Sequence, residues 1–261
     1  MQMVKPDQVT DPINQQQKND DNYWEITGLP SKMKMYPKGT VIKGRPLKTL
    51  EVKKLATMNS TNMDDMINDV LVTSIMGLEV SDILASDKLY ILFWLRANTY
   101  KESGFNVEFD CELCGMESEY EFNIDSIQTI DIEDDYDPLK VLTLPSSKDE
   151  LVVKHMTIAD EQQLTNFMKS HEKSLNTFDA EILDLAGQIG QIGGDVCNSL
   201  LKTYDYVSEL DPSDFAYLTS YMEYISFGIK NSLEVKCQKC GGSTQTGVTF
   251  RSEFFLPKYK F

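Results

Sequence analysis

Phe105-Asn-Val-Glu-Phe-Asp-Cys111-Glu-Leu-Cys114-Gly115 and Glu234-Val-Lys-Cys237-Gln-Lys-Cys240-Gly241-Gly242 decide the fold. Each stretch is a Cys-x-x-Cys turn led into by alternating, strand-like residues. One such pair aims two thiolates at a single point, and two pairs supply the four of a closed, structural tetrahedral site. A glycine after each second cysteine suits the left-handed corner that folds backbone around an ion. The residues Cys111, Cys114, Cys237 and Cys240 are therefore the candidate ligands of a structural zinc ion, and together form a zinc ribbon split by a long insertion. Iron fits four thiolates too. A redox pair of the thioredoxin kind would need a βαβ setting, which neither stretch has.

Cys114 and Cys237 are separated by 122 residues. Loop closure grows slowly with length, each doubling costing about 0.6 kcal/mol, so a long insertion is tolerated. Its helical patterns imply that it folds on itself. The expected architecture is α+β: a helical body clasped at its two ends by a small four-cysteine β module.

The chain has 261 residues and a formal net charge of −16. That balance argues against a general nucleic-acid binder, which needs clustered Lys and Arg. The alternative function, a zinc-ribbon nucleic-acid-binding or transcription-associated protein, predicts basic residues beside the knuckles. The first knuckle instead carries Glu112, Glu117, Glu119 and Glu121, and the second only Lys236 and Lys239. No apolar run approaches the roughly 20 residues of a membrane span. The N-terminus lacks the charged-then-apolar layout of a signal peptide, so synthesis in a reducing cytoplasm is expected.

Residues 1–28 are polar at first and read as a disordered or partner-ordered arm. Tyr23, Trp24 and Ile26 either form a docking spot or cover the protein's own surface. Residues 29–104 read as a strap rich in Pro and Gly followed by helices. Thr49 caps a brief helix to about Met58, Thr61-Asn-Met-Asp64 starts a helix reaching Ile75, and Ser86 caps one to about Lys101. Leu89-Tyr-Ile-Leu-Phe-Trp-Leu95 is apolar on nearly every side, the mark of a centrally buried helix.

Residues 105–126 hold the first half of the ribbon and 232–261 the second half with a C-terminal tail. Residues 127–231 form a β-rich link and helical insertion. Within it, Asp131-Ile-Glu-Asp-Asp-Tyr-Asp137 lacks the Gly and terminal Glu of an EF-hand and reads as a solvated loop. Val141–Leu144 and Leu151–His155 read as strands. Thr157-Ile-Ala-Asp160 opens a helix to about Ser170, and another runs from Phe178 to about Gln188. Gly187-Gln-Ile-Gly-Gln-Ile-Gly193-Gly194 lacks the Gly-Lys-Ser/Thr ending of a phosphate loop and reads as a glycine-rich helix end. Val196, Cys197, Leu200, Leu201 and Tyr204 share a helical stripe, with Cys197 a buried thiol. Asp211-Pro212 starts a helix to Phe227 with two stripes, Phe215/Leu218/Met222/Ile225 and Tyr217/Tyr221/Tyr224. Two stripes imply burial on two sides, by the domain's own helices or by another subunit, including a second copy of the chain. His155 and His171 read as ordinary surface or strand-edge residues. No nucleophile–base constellation is visible, so no catalytic residue and no cofactor beyond the zinc are expected.

In order along the chain come Leu29-Pro-Ser31 with Tyr36, Arg45-Pro46 and Leu95-Arg96-Ala-Asn-Thr-Tyr100 ahead of the first knuckle. Ala180 to Gly194 and Phe254-Phe255-Leu256-Pro257 after the second knuckle complete the series. This sequence resembles the baseplate hub and hub-assembly proteins of contractile-tailed phages of the T-even type over about residues 29 to 257. The resemblance implies a non-enzymatic structural or chaperone-like assembly role at the tail baseplate hub. It implies hub or tail proteins as partners, no nucleic acid or membrane, and residence in the host cytoplasm during assembly and in the virion tail baseplate.

Overall fold

The computed structural model describes residues 22–59, 61–100, 105–122, 128–171, 178–230, 232–247 and 255–256. Most of the N-terminal arm, Phe254 and Pro257 lie outside these residues.

The Pro- and Gly-rich strap cannot form a long helix and instead supplies short strands. β1 (Trp24–Glu25), β2 (Lys43–Gly44) and β3 (Ile75–Met76) make one antiparallel sheet. Ile26 is buried and Trp24 half exposed, so this segment covers the protein's own core. α1 (Thr49–Leu55) is capped at Lys48 rather than Thr49. Glu51 decides this: its carboxylate accepts the Lys48 N–H at 2.7 Å while also binding the Arg45 guanidinium at 2.6 and 2.9 Å. α2 (Met63–Ser74) stops before Ile75, which the helical stripe had included. Gly77 is the reason. Its φ of +96° turns the chain, and a Cβ there would sit 1.9 Å from the Val41 carbonyl oxygen, so Ile75–Met76 are drawn into pairing with β2.

α3 (Ala85–Thr99) bears the all-round apolar run, and Ile91, Leu92, Phe93 and Leu95 are fully buried. Gly44 lets the strap lie on it, since a Cβ would come within 2.8 Å of the Trp94 ring. Asp87 is buried in this helix. It accepts the Tyr36 hydroxyl at 2.8 Å and the Ser31 N–H at 3.2 Å, and burial raises its pKa against those donors. Arg96, also buried, lies over the Tyr100 ring at 4.6 Å. These elements share the first hydrophobic core, with Ile132, Phe227 and Phe255 reaching in from later in the chain.

A second core lies under an antiparallel sheet of order β10-β9-β8-β7. Its strands are β7 (Val141–Thr143), β8 (Glu150–Val153), β9 (Ile189–Ile192) and β10 (Asp195–Val196). The glycine-rich stretch is thus a hairpin and not a helix end. Gly193 and Gly194 take φ of +59° and +89°, the pair of left-handed residues that a tight hairpin turn requires. Val196 is consequently a strand residue, and the helical stripe starts only at α6 (Leu200–Ser208), whose cap is Ser199. α4 (Ile158–Ser170) opens with the capping box read from Thr157 and Asp160. α5 (Ala180–Gly187) is capped by Asp179, and α7 (Pro212–Tyr224) by Asp211 with Pro212 at the first helical position. On α7 Leu218 is buried, whereas Tyr217 and Tyr224 of the second stripe are exposed.

Tyr136 packs against both cores. β6 (Thr129–Ile130) pairs with β11 (Gly228–Ile229), and the Ile132 N–H reaches the Pro30 carbonyl at 2.9 Å. The acidic loop between is largely solvated, with Asp134 paired to Lys32 at 2.6 Å. His155 is not a surface residue. Its ring sits 5.5 Å from that of Tyr136 and 4.7 Å from that of Phe227, and its Nε2 is buried without a partner. Burial pushes its pKa down to about 4.

Candidate metal centre

Two hairpins contribute no described side chain to either core. β4 (Phe105–Asp110) pairs with β5 (Glu117–Phe122), ending at Asp110 opposite Glu117. β12 (Ser232–Lys236) pairs with β13 (Ser243–Gly247), ending at Lys236 opposite Ser243. Among the described residues each is its own two-stranded sheet, and the two hairpins of the split module meet at their tips.

The tips are built alike because their spacing is alike. In the first, the Cys111 N–H donates to the Met116 carbonyl at 2.9 Å and the Gly115 N–H to the Cys111 carbonyl at 2.8 Å. In the second, the Cys237 N–H donates to the Gly242 carbonyl and the Gly241 N–H to the Cys237 carbonyl, both at 2.9 Å. Gly115 and Gly241 carry φ of +63° and +71°, conformations a side chain would strain. Leu113 of the first tip covers Gly242 of the second so closely that a Cβ there would lie 2.3 Å from its Cδ1.

This arrangement brings all four predicted residues together. The sulfurs of Cys111 and Cys240 are 3.7 Å apart, as are those of Cys114 and Cys237, and all four lie within 4.8 Å of one another. A disulfide would need about 2.0 Å. Four sulfurs at about 2.3 Å from a tetrahedral zinc would be spaced by about 3.8 Å. The donor set therefore fits a closed four-thiolate ion. Cys111 and Cys237 are buried, while Cys114 and Cys240 face solvent.

Local dipoles prepare the thiols for ligation. The N–H groups of Cys114 and Leu113 point at the Cys111 sulfur and help bring its pKa down to about 6. Those of Cys240 and Lys239 lower that of Cys237. Cys114 receives the Met116 N–H, but desolvation and its three sulfur neighbours push it up to about 11. The turn N–H groups thus favour ionised Cys111 and Cys237, while crowding by neighbouring sulfurs disfavours ionised Cys114.

Among the described residues no other group of three or more His, Cys, Asp or Glu side chains converges in this way. Cys197 stands outside the cluster, half-buried on a cavity of about 330 Å³ walled by α4, α5 and β9 residues. His171 stacks on Phe167 at 4.2 Å. The sequence reading missed Thr244, buried beside Cys111, although a hydroxyl seven residues after the first cysteine of each pair (Ser118 and Thr244) was there to be seen.

No helix among the described residues is long and apolar enough to cross a membrane. The profile of the family described as T4 bacteriophage base plate protein matches residues 26–256. No curated protein and no solved structure matches the chain.

Proposed function

The chain belongs to the T4 bacteriophage base plate protein family, and from that premise we propose that it is a non-enzymatic component or assembly factor of the tail baseplate hub, fastened by one structural zinc ion on Cys111, Cys114, Cys237 and Cys240. The observation that carries the metal half is the meeting of four sulfurs within 4.8 Å from stretches 122 residues apart. Bound there, zinc supplies a crosslink and no chemistry: four thiolates close its coordination sphere, leaving no position for an activated water. The domain layout follows the same logic, with an N-terminal arm over 1–28, strap and first helices over 29–104, half-modules at 105–126 and 232–261, and a β-rich helical insertion over 127–231.

The hub half rests on the family and on chemistry. The chain interacts with other base plate proteins, and its net charge of −16 suits the masking of a basic partner face until assembly. Exposed Tyr217 and Tyr224 on α7 offer aromatic contact area for such a partner or for a second copy of the chain.

Elemental analysis of natively purified protein tests the metal, with one zinc per chain expected; a folded, metal-free preparation overturns it. An iron-loaded site would show itself by visible absorption. Pull-down with hub proteins at low and high salt tests the role. Binding that weakens with salt supports it, and no binding to hub proteins at either salt refutes it.

A further inference from the structure

Thr244 is 4% exposed, lies on β13 opposite Val235, and has its hydroxyl between the two hairpins. Its Oγ1 donates to the Cys111 sulfur at 3.7 Å and accepts the Glu112 N–H at 3.3 Å. Both partners belong to the opposite tip. Ser118 holds the equivalent place in the first hairpin, opposite Phe109, and makes no such bond to Cys237. The centre is therefore asymmetric. One knuckle carries a hydroxyl that grips the other's buried cysteine, and the reverse contact does not exist.

We infer that Thr244 is a positioning residue of the metal centre: by bridging the Glu112 N–H and the Cys111 sulfur it fixes the buried ligand of the first knuckle in ligating geometry, and a hydroxyl is required there. The inference rests on the reading of the four cysteines as metal ligands. Two physical reasons support it. Four thiolates around a divalent ion leave a net charge of −2, and a hydroxyl donor disperses part of it. An outer-shell hydrogen bond also fixes the orientation of its ligand, and losing one typically costs about 10–100-fold in metal affinity. Leu113 closing over Gly242 already brings the tips together, so what Thr244 adds is aim at one sulfur.

Cobalt(II) and zinc competition titrations of the full chain test this, with the thiolate-to-cobalt absorption as a second readout. Wild type should take up one equivalent; failure there removes the metal reading itself, and this inference with it. Given wild-type binding, Thr244→Val should still bind one equivalent but about 10–100-fold more weakly, with a shifted charge-transfer band. Thr244→Ser should restore both affinity and band, and Ser118→Val should change neither. Thr244→Ala repeats the comparison should the valine variant not fold. Hydroxyl-free variants with wild-type affinity and spectrum would overturn the assignment, as would a serine variant as weak as valine.

Discussion

Stripping the metal from the folded protein should release the two hairpins while leaving the helical body standing. Among the described residues neither hydrophobic core contains a side chain from β4, β5, β12 or β13. Among the module's described side chains, those buried apart from the sulfurs and Thr244 are Phe109 and Val235. Burying two such side chains is worth about 3–6 kcal/mol in total, taking about 1.5–3 each. Isolated two-stranded hairpins are marginal at best. A structural zinc ion contributes about 10–16 kcal/mol in small peptides, about three times the apolar share. Each factor of ten in an opening equilibrium is about 1.4 kcal/mol, so protection of the hairpin amides against hydrogen exchange should fall by at least about a thousandfold on chelation. Amides of α3, β8 and α7 should keep theirs. Hydrogen exchange read by mass spectrometry on holo and chelated protein resolves the two regions. Uniform loss of protection would refute the separation of module from cores, and unchanged hairpin protection would refute the dominance of the ion. Cys237→Ser should reproduce the chelated pattern.

Other outcomes follow from single residues. Thr157→Ala removes the hydroxyl that accepts the Asp160 N–H at the start of α4 and should cost about 0.5–2 kcal/mol in urea unfolding. Gly77→Ala meets both a φ of +96° and the Val41 carbonyl 1.9 Å away, and should destabilise by more than about 2 kcal/mol or prevent folding. His155 is held neutral in the fold with a pKa of about 4 against 6.5 when free, so only the unfolded chain takes up its proton between those values. Its contribution is complete above pH 6.5 and is lost as pH falls toward 4, on the order of 3 kcal/mol in all. His155→Phe, which keeps the ring packing on Tyr136 and Phe227, should flatten the stability profile between pH 7 and 5.

Features set by neighbours in the chain were legible. The hydroxyl of Thr157 and the carboxylate of Asp160 are close enough in sequence to satisfy the first turn of α4 wherever that helix lies. Asp211-Pro212 starts α7 for the same reason, and the apolar run from Leu89 to Leu95 has no face that could meet water, so α3 had to be central. Local reading failed where a distant group competed. Glu51 took the cap that Thr49 promised because the Thr73 hydroxyl, 22 residues on, and Arg45 hold it at Lys48, and Ile75 left its helix because β2 lies alongside. The paired glycines at 193 and 194 serve a helix end and a hairpin turn equally well, and the presence of β8 beside Ile189–Ile192 selects the hairpin.

The same division runs through the candidate site. Spacing alone dictates each knuckle, since Cys-x-x-Cys-Gly permits one tight, left-handed corner and points two sulfurs outward from it. Whether two such knuckles meet is a matter of how the 122 residues between them fold, and that path brings the sulfurs to 3.7 Å. Tertiary packing likewise enclosed His155 between two aromatic rings and seated the Thr244 hydroxyl on a sulfur 133 residues away. Short-range sterics and hydrogen bonds are written in adjacent residues; desolvation and contacts across the chain exist only once the whole has folded.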